Sequence, residues 1–372
     1  MRLVTFYRSG NNENMNADAP VMPLFGIGAP MREDRNPDIA AGAAVEGGRF
    51  SFFGEEVGIL SADGTRILPI AEAGISYPDM NTLIAHHTPE EMKVLRDVSA
   101  AFNIALKKVR GTSVSQETSE NAEGDQYSDD NLPGNFPGLE VGSQAKLLSP
   151  IPVPLQDVIC LGLNYTEHIT EAAAYGKDTL TSKNESFPVY FSKRVNRSPG
   201  DGEPVPAYAG LVDSLDYEVE LAVIIGKDGK GIKPEEARDY VFGYTILNDY
   251  SSRNLQMRHT QWYLGKSLDG HTPMGPCIVT ADEFSYPPKL RIRSLVNGEV
   301  RQDSTTDMLI YDIDYIIADL SAGMTLKAGT VISTGTPKGV GMGFDPPKFL
   351  KAGDVVTCEI EGIGTLTNPI CD

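Results

Sequence analysis

Leu215-Asp216-Tyr217-Glu218-Val219-Glu220-Leu221-Ala222-Val223-Ile224-Ile225-Gly226 is the stretch on which the fold turns. Its Val, Ile and Leu content and its terminal glycine read as a mostly buried strand. Side chains alternate along a strand, so Glu218 and Glu220 point to one face. Two carboxylates on a strand that otherwise enters a core are costly unless something compensates them. A hard divalent cation does so, because Mg²⁺, Mn²⁺ and Ca²⁺ take carboxylate oxygens. The alternative is an edge strand with one solvated face. Residues elsewhere in the chain decide between the two.

A third carboxylate ends the next apolar run, Tyr240-Val241-Phe242-Gly243-Tyr244-Thr245-Ile246-Leu247-Asn248-Asp249. Neighbouring strands delivering Glu218, Glu220 and Asp249 would form an open oxygen site of the kind that holds Mg²⁺ or Mn²⁺ with a chelating substrate. Asp249 also reads as an N-cap for a short helix starting near Tyr250.

The chain has 372 residues, enough for two domains, with 41% hydrophobic and 22% charged residues, the composition of a globular protein. A formal net charge of -19 argues against nucleic acid or an anionic membrane as partner. It leaves room for a small anionic substrate, since a metal and a few local cations can dominate one cleft. Cys160, Cys277, Cys358 and Cys371 are scattered, with no C-x-x-C pair, which fits a reducing compartment. The N-terminal residues turn polar too early for a signal peptide, and no apolar run approaches a membrane span, so the expected location is cytoplasmic.

Residues 1–110 read as a small N-terminal α+β domain, with strands expected at 2–7, 50–53, 56–60 and 66–70. Thr88-Pro89-Glu90-Glu91 is a capping box that opens a helix to about residue 109. Residues 111–146 form an acidic linker or insertion, poor in large apolar side chains from 111 to 142. Residues 147–372 are dense with β-runs, at 158–163, 189–192, 219–225, 244–247, 290–296, 331–334 and 355–360. Asn297-Gly298 is a two-residue hairpin signal, and one amphipathic helix is expected over 307–322. The fold class is therefore β-rich α+β, with mixed sheets rather than a doubly wound one.

Gly162-Leu163-Asn164-Tyr165-Thr166-Glu167-His168-Ile169-Thr170-Glu171 leaves a strand and enters a helix. His168 and Glu171, three apart, would be neighbours on one helix face. A carboxylate beside imidazole raises its basicity and orients it, as a water-activating base requires; a solvated surface pair is the other reading. Lys266, framed by Gly and Pro turns, could reach a cleft and balance carboxylates or a developing enolate. Taken without context it reads as an ordinary exposed lysine. Residues 334–341, Thr-Gly-Thr-Pro-Lys-Gly-Val-Gly, match neither phosphate-loop pattern, but they suit a backbone N–H cradle for a carboxylate.

Taken in order, these pieces resemble the catalytic C-terminal domain of the fumarylacetoacetate hydrolase family. The resemblance rests on six segments between about residues 155 and 370: 162–171, 216–221, 243–253, 266–276, 297–299 and 334–341. It implies mixed sheets around a rolled, barrel-like core, a homodimer, and Mg²⁺ or Mn²⁺ on Glu218, Glu220 and Asp249. It places His168 and Glu171 as the dyad of acylpyruvate-hydrolysing members, on a lid segment. Lys193, Arg253, Gln256, Lys266 and Thr336 match positions beside the substrate or just behind it. Residues 1–110 and the acidic insertion lie outside these segments, and Phe191-Ser192-Lys193-Arg194 departs from the more usual Phe-Leu-Lys.

The activity expected from this resemblance is metal-dependent C–C cleavage of short 2-oxo or 2,4-dioxo carboxylates through a metal-bound enolate. His168, oriented by Glu171, would deprotonate the attacking water, and Lys266 would share the developing charge. Oxaloacetate decarboxylation and oxo-acid tautomerisation or isomerisation use the same apparatus and remain alternatives. So does a non-catalytic protein that binds metal and oxo acid, which turnover would distinguish.

Overall fold

The computed structural model describes residues 1–9, 54–109, 138–176, 187–258 and 261–372. The expected strand at 50–53 and most of the acidic stretch lie outside them. The N-terminal elements are β1 (Arg2–Arg8), β2 (Glu56–Leu60), β3 (Arg66–Pro69), α1 (Met80–His86), α2 (Pro89–Val109), β4 (Leu139–Glu140) and β5 (Ala145–Leu147). Then come β6 (Val158–Gly162), α3 (Thr166–Gly176), β7 (Val189–Lys193), β8 (Val205–Pro206), β9 (Leu215–Asp216), β10 (Val219–Ile225) and β11 (Val241–Asn248). After these follow β12 (Ser251–Ser252), α4 (Arg253–Gln256), α5 (Tyr263–Lys266), β13 (Met274–Thr280), β14 (Arg291–Val296) and β15 (Glu299–Thr305). The last are α6 (Ile313–Gly323), β16 (Val331–Ser333), β17 (Val355–Ile360) and β18 (Gly364–Cys371).

Every residue of β10 is buried, so the edge-strand reading of this stretch is set aside. Its alternation divides the core. Val219, Leu221, Val223 and Ile225 face a cluster shared with Ile292, Val356 and Leu366 of a second sheet and with Ile316 and Leu320 of α6. Ala222 and Ile224 face the opposite cluster, with Leu3, Ile59, Leu83, Leu95 and Phe102. Sealing a side chain such as Leu221 contributes about 1.5–3 kcal/mol. Glu218 and Glu220 share the parity of Ala222 and Ile224, at the end of the strand where that apolar face gives way.

The large sheet runs β4-β3-β2-β1-β13-β11-β10-β16-β6-β7, with β5 beside β1, and the second runs β15-β14-β17-β18-β8. Most pairs are antiparallel, while β16–β6 and β18–β8 are parallel. The β-rich, mixed-sheet expectation holds. A closed barrel does not form, because the large sheet is open at β4 and β7 among the described residues. β1 pairs directly with β13, so one sheet carries both the N-terminal strands and those of the site. β4 and β5 build the tail of the acidic stretch into this sheet.

The Thr88–Glu91 capping box forms reciprocally, Thr88 N–H on Glu91 and Glu91 N–H on Thr88 Oγ1. Asn297 and Gly298 both take positive φ, 52° and 81°, as the two-residue turn between β14 and β15 requires. The helix expected from residue 307 starts later, at Ile313. Asp312 caps it by accepting from Tyr315 N–H at 2.8 Å, and Leu309 instead bridges to Tyr165. Asp249 caps no helix, since α4 begins only at Arg253. All four cysteines are unpaired. No helix among the described residues is long and apolar enough to cross a membrane.

Candidate metal centre and active site

The β10–β11 register builds the acidic centre. Glu220 stands opposite Leu247 and Val219 opposite Asn248. One step further, Asp249 N–H donates to the Glu218 carbonyl at 2.9 Å. Asp249 therefore returns to the face that carries Glu218 and Glu220. Oxygens of all three carboxylates lie within 4.8 Å of one another, and all three residues are buried.

Three cations brace two of them. Lys266 Nζ donates to Glu218 Oε2 and Asp249 Oδ2, each at 2.7 Å. Lys193 Nζ donates to Asp249 Oδ1 at 2.5 Å and to the Tyr250 carbonyl at 3.0 Å. The Arg253 guanidinium lies 2.7 Å from Glu218 Oε1 and 2.8 Å from Asp216 Oδ2. Burial alone would raise the Glu218 carboxyl, yet Lys266 and Arg253 hold it well below the usual range. Burial likewise opposes the Lys266 charge, but Asp249 and Glu218 keep its pKa above the ordinary lysine value.

Glu220 differs. Its Oε2 accepts from Ser333 Oγ at 2.6 Å and Gly335 N–H at 2.8 Å, both neutral donors. Burial, then the charges of Asp249 and Glu218, push its carboxyl well above the usual range. A crowded, buried carboxylate without a cation of its own is completed by a hard divalent ion, so these residues fit Mg²⁺ or Mn²⁺.

On the other side of the cleft, α3 carries the dyad. His168 Nδ1 lies 3.1 Å from Glu171 Oε2, with both side chains largely buried, so this is no solvated surface pair. Glu171 Oε1 accepts from Gly339 N–H at 2.9 Å. With Nδ1 engaged, Nε2 is the nitrogen His168 has left for the cleft it lines. Ala172 seats α3 on Val340 and Met342. Asn164 fixes the strand-to-helix turn, donating to the Thr334 and Tyr311 carbonyls at 2.8 and 3.0 Å and accepting from Tyr311 N–H.

The structure brings His168, Glu218, Glu220, Arg253, Gln256, Lys266 and Thr336 to one cleft. Its water-accessible free volume is about 20 Å³, room for a water or so with α3 seated. Glu171 lies behind His168, and Lys193 behind Asp249. Gln256 Oε1 accepts from Arg253 at 3.0 Å, and Thr336 Oγ1 donates to the Val219 carbonyl at 2.9 Å. The amides of residues 334–341 do cradle carboxylates, but the chain's own: Gly335 serves Glu220, Gly339 serves Glu171, and Gly341 serves Asp216. Sequence reasoning missed Asp216, Ser333 and the apolar wall of Trp262, Phe191 and Met342. Gly162 was the available signal for Trp262, since a Cβ there would stand 2.4 Å from the indole.

Comparison with known proteins agrees with this geometry. Residues 157–371 match the model of the fumarylacetoacetate hydrolase C-terminal family. Oxaloacetate tautomerase YisK of Bacillus subtilis is 45% identical over 228 residues, 61% of this chain and 74% of that protein. The solved fumarylacetoacetate hydrolase of Exiguobacterium antarcticum superposes with a TM-score of 0.62 at 33% identity, covering 88% of this chain and 96% of the other. A 2-hydroxyhepta-2,4-diene-1,7-dioate isomerase of Mycobacterium marinum gives a TM-score of 0.51 at 36% identity, over 64% and 82% of the two chains. With more than half of its length matched and an acidic centre on adjacent strands, this chain belongs to the fumarylacetoacetate hydrolase family.

Proposed function

We propose that this chain is an enzyme that moves a proton at the carbon beside the carbonyl of a short 2-oxo carboxylate, interconverting its keto and enol forms. The observation that carries this reading is the His168–Glu171 pair on the cleft that Glu218 and Glu220 also line. The similarity to an oxaloacetate tautomerase supports oxaloacetate as the substrate type.

Glu218, Glu220 and Asp249 would hold Mg²⁺ or Mn²⁺, which supplies electrophilic pull on the 2-oxo oxygen. His168 takes the C3 proton on Nε2 while Glu171 stabilises the imidazolium through Nδ1. Lys266 and Arg253 put positive charge beside the oxygen that gains electron density. The proton is then delivered to that oxygen, giving the enol, and the reverse path restores the ketone. Trp262, Phe191 and Met342 keep bulk water from the cleft.

Cleavage of 2,4-dioxo acids is the second reading, favoured by the same held imidazole, which would deprotonate a water instead of a carbon acid. Oxaloacetate decarboxylation is a third outcome of one assay. The Mn²⁺-loaded chain is incubated with oxaloacetate and with acetylpyruvate, following enol absorbance, pyruvate and CO₂. Faster enol–keto exchange without pyruvate supports the proposal. Pyruvate from acetylpyruvate alone supports cleavage instead, and no change with either substrate rejects both.

A further inference from the structure

Asp216 is fully buried and joins two parts of the site that the chain reaches separately. Its Oδ1 accepts from Gly341 N–H at 2.6 Å, and its Oδ2 from Met342 N–H at 3.0 Å. The same Oδ2 accepts from Arg253 Nε at 2.9 Å, and that guanidinium reaches on to Glu218. The 3₁₀ turn Gly341–Gly343 is what α3 rests on, through Ala172 against Met342. A Cβ on Gly343 would lie 1.9 Å from Glu171 Oε1, so the turn also fixes where the Glu171 carboxylate can stand.

We propose that Asp216 is a positioning residue, a clasp that keeps the α3 lid and its His168–Glu171 pair in register with Arg253 and Glu218. This rests on the functional reading above only in taking that pair and that carboxylate as parts of one site. An ion pair serving stability alone would need Arg253 but neither turn amide. Here one carboxylate spends bonds on both, and the turn it grips has no side chain in the way. A Cβ on Gly341 would meet Asp216 Oδ1 at 2.6 Å and the Lys348 carbonyl at 2.5 Å, so the close approach requires glycine there. When the turn leaves Asp216, α3 loses its seat, while Asp216 keeps Arg253 and Arg253 keeps Glu218.

Two variants of the full chain separate the halves of the clasp. Gly341→Ala pushes the turn off Asp216 and leaves the Asp216–Arg253–Glu218 line intact. Asp216→Asn breaks both, since its amide presents donors to Arg253 and Met342 N–H. Amide hydrogen exchange is read by mass spectrometry over residues 166–172, with Val355–Ile360 as an internal control, and bound Mn²⁺ is read by electron paramagnetic resonance. In Gly341→Ala the lid is expected to exchange about tenfold faster or more, with the control and the Mn²⁺ spectrum unchanged. In Asp216→Asn both the lid exchange and the Mn²⁺ spectrum change. Wild-type exchange over the lid in folded Gly341→Ala overturns the proposal, and Gly341→Ala decides it alone if Asp216→Asn does not fold. Exchange needs neither metal nor turnover, so failure of the clasp is distinguishable from failure of the catalytic reading, which appears as a wild-type chain without turnover.

Discussion

The ammonium of Lys266 lies 2.7 Å from Oδ2 of Asp249, with both side chains sealed from solvent. The same ammonium reaches Glu218, so one cation ties together two of the three carboxylates that would bind metal. Lys193, Lys266 and Arg253 are committed to Asp249, Glu218 and Asp216, which leaves Glu220 as the carboxylate with no cation of its own. Lys266 is thus both a brace and a competitor for the oxygens a metal would use. Lys266→Met is expected to lower kcat about 10²- to 10³-fold, as for loss of one preorganised charge in a dry site. Mn²⁺ should bind the variant at least as tightly as wild type, which titration calorimetry alongside the rate assay checks.

His168 and Glu171 should separate in size of effect. His168→Ala removes the proton carrier, and kcat for enol–keto exchange is expected to fall about 10²- to 10⁴-fold. Glu171→Gln loses the charge, and its one amide oxygen can accept from only one of His168 Nδ1–H and Gly339 N–H, yet the imidazole itself remains, so a smaller fall is expected. Equal and full activity in both variants would remove the dyad from the mechanism.

Trp262 is the chain's one tryptophan, and it packs its edge against Phe191 with centroids 5.4 Å apart. Its emission therefore reports on the cleft alone. Gly162→Ala forces a methyl group into the indole, with an expected loss of about 1–3 kcal/mol of stability and a shifted emission maximum. Urea unfolding followed by fluorescence measures both.

Glu203 offers a pH test away from the acidic centre. Burial opposes its charge, but the Arg197 guanidinium, 2.9 Å from each oxygen, and Gly200 N–H hold its carboxyl below the usual 4.5. A carboxyl lowered by folding contributes its full stabilisation above the unfolded value and loses it as pH falls through the folded one. Glu203→Gln should therefore be less stable than wild type at pH 7, by about 1.5–3 kcal/mol for a charged hydrogen bond. The gap should close on acidification below 4.5, as urea midpoints at the two pH values will show.

The acidic centre was legible because strand alternation is a strong rule: Glu218 and Glu220 share a face whatever surrounds them, and Asp249 returns to it by pairing. The His168–Glu171 pair followed from helical spacing in the same way. What the sequence left open depended on long-range contact. Lys193 and Lys266 are separated by most of the site's elements, and nothing local says that both end on Asp249. Asp216 looked like any strand-entry acid, since its partners Gly341 and Arg253 come 125 and 37 residues later. The β-rich, mixed-sheet class was legible, but the sheet's extent was not: the N-terminal strands join it through β1 on β13, about 270 residues apart, and no closed barrel forms among the described residues. The early start assigned to α6 is a boundary error, where apolar Leu309 fitted the helical period but was used in a bridge to Tyr165.

Mn²⁺ titrated calorimetrically into chelator-treated wild type and Glu220→Gln tests the acidic centre most directly. One strong site per chain is expected in wild type, with a gain in melting temperature worth about 2.7 kcal/mol at a hundredfold excess over Kd. Both should be lost in the variant, which keeps shape and volume but not the charge. Matching isotherms for the two proteins, or no binding to wild type, would contradict a divalent cation held by Glu218, Glu220 and Asp249.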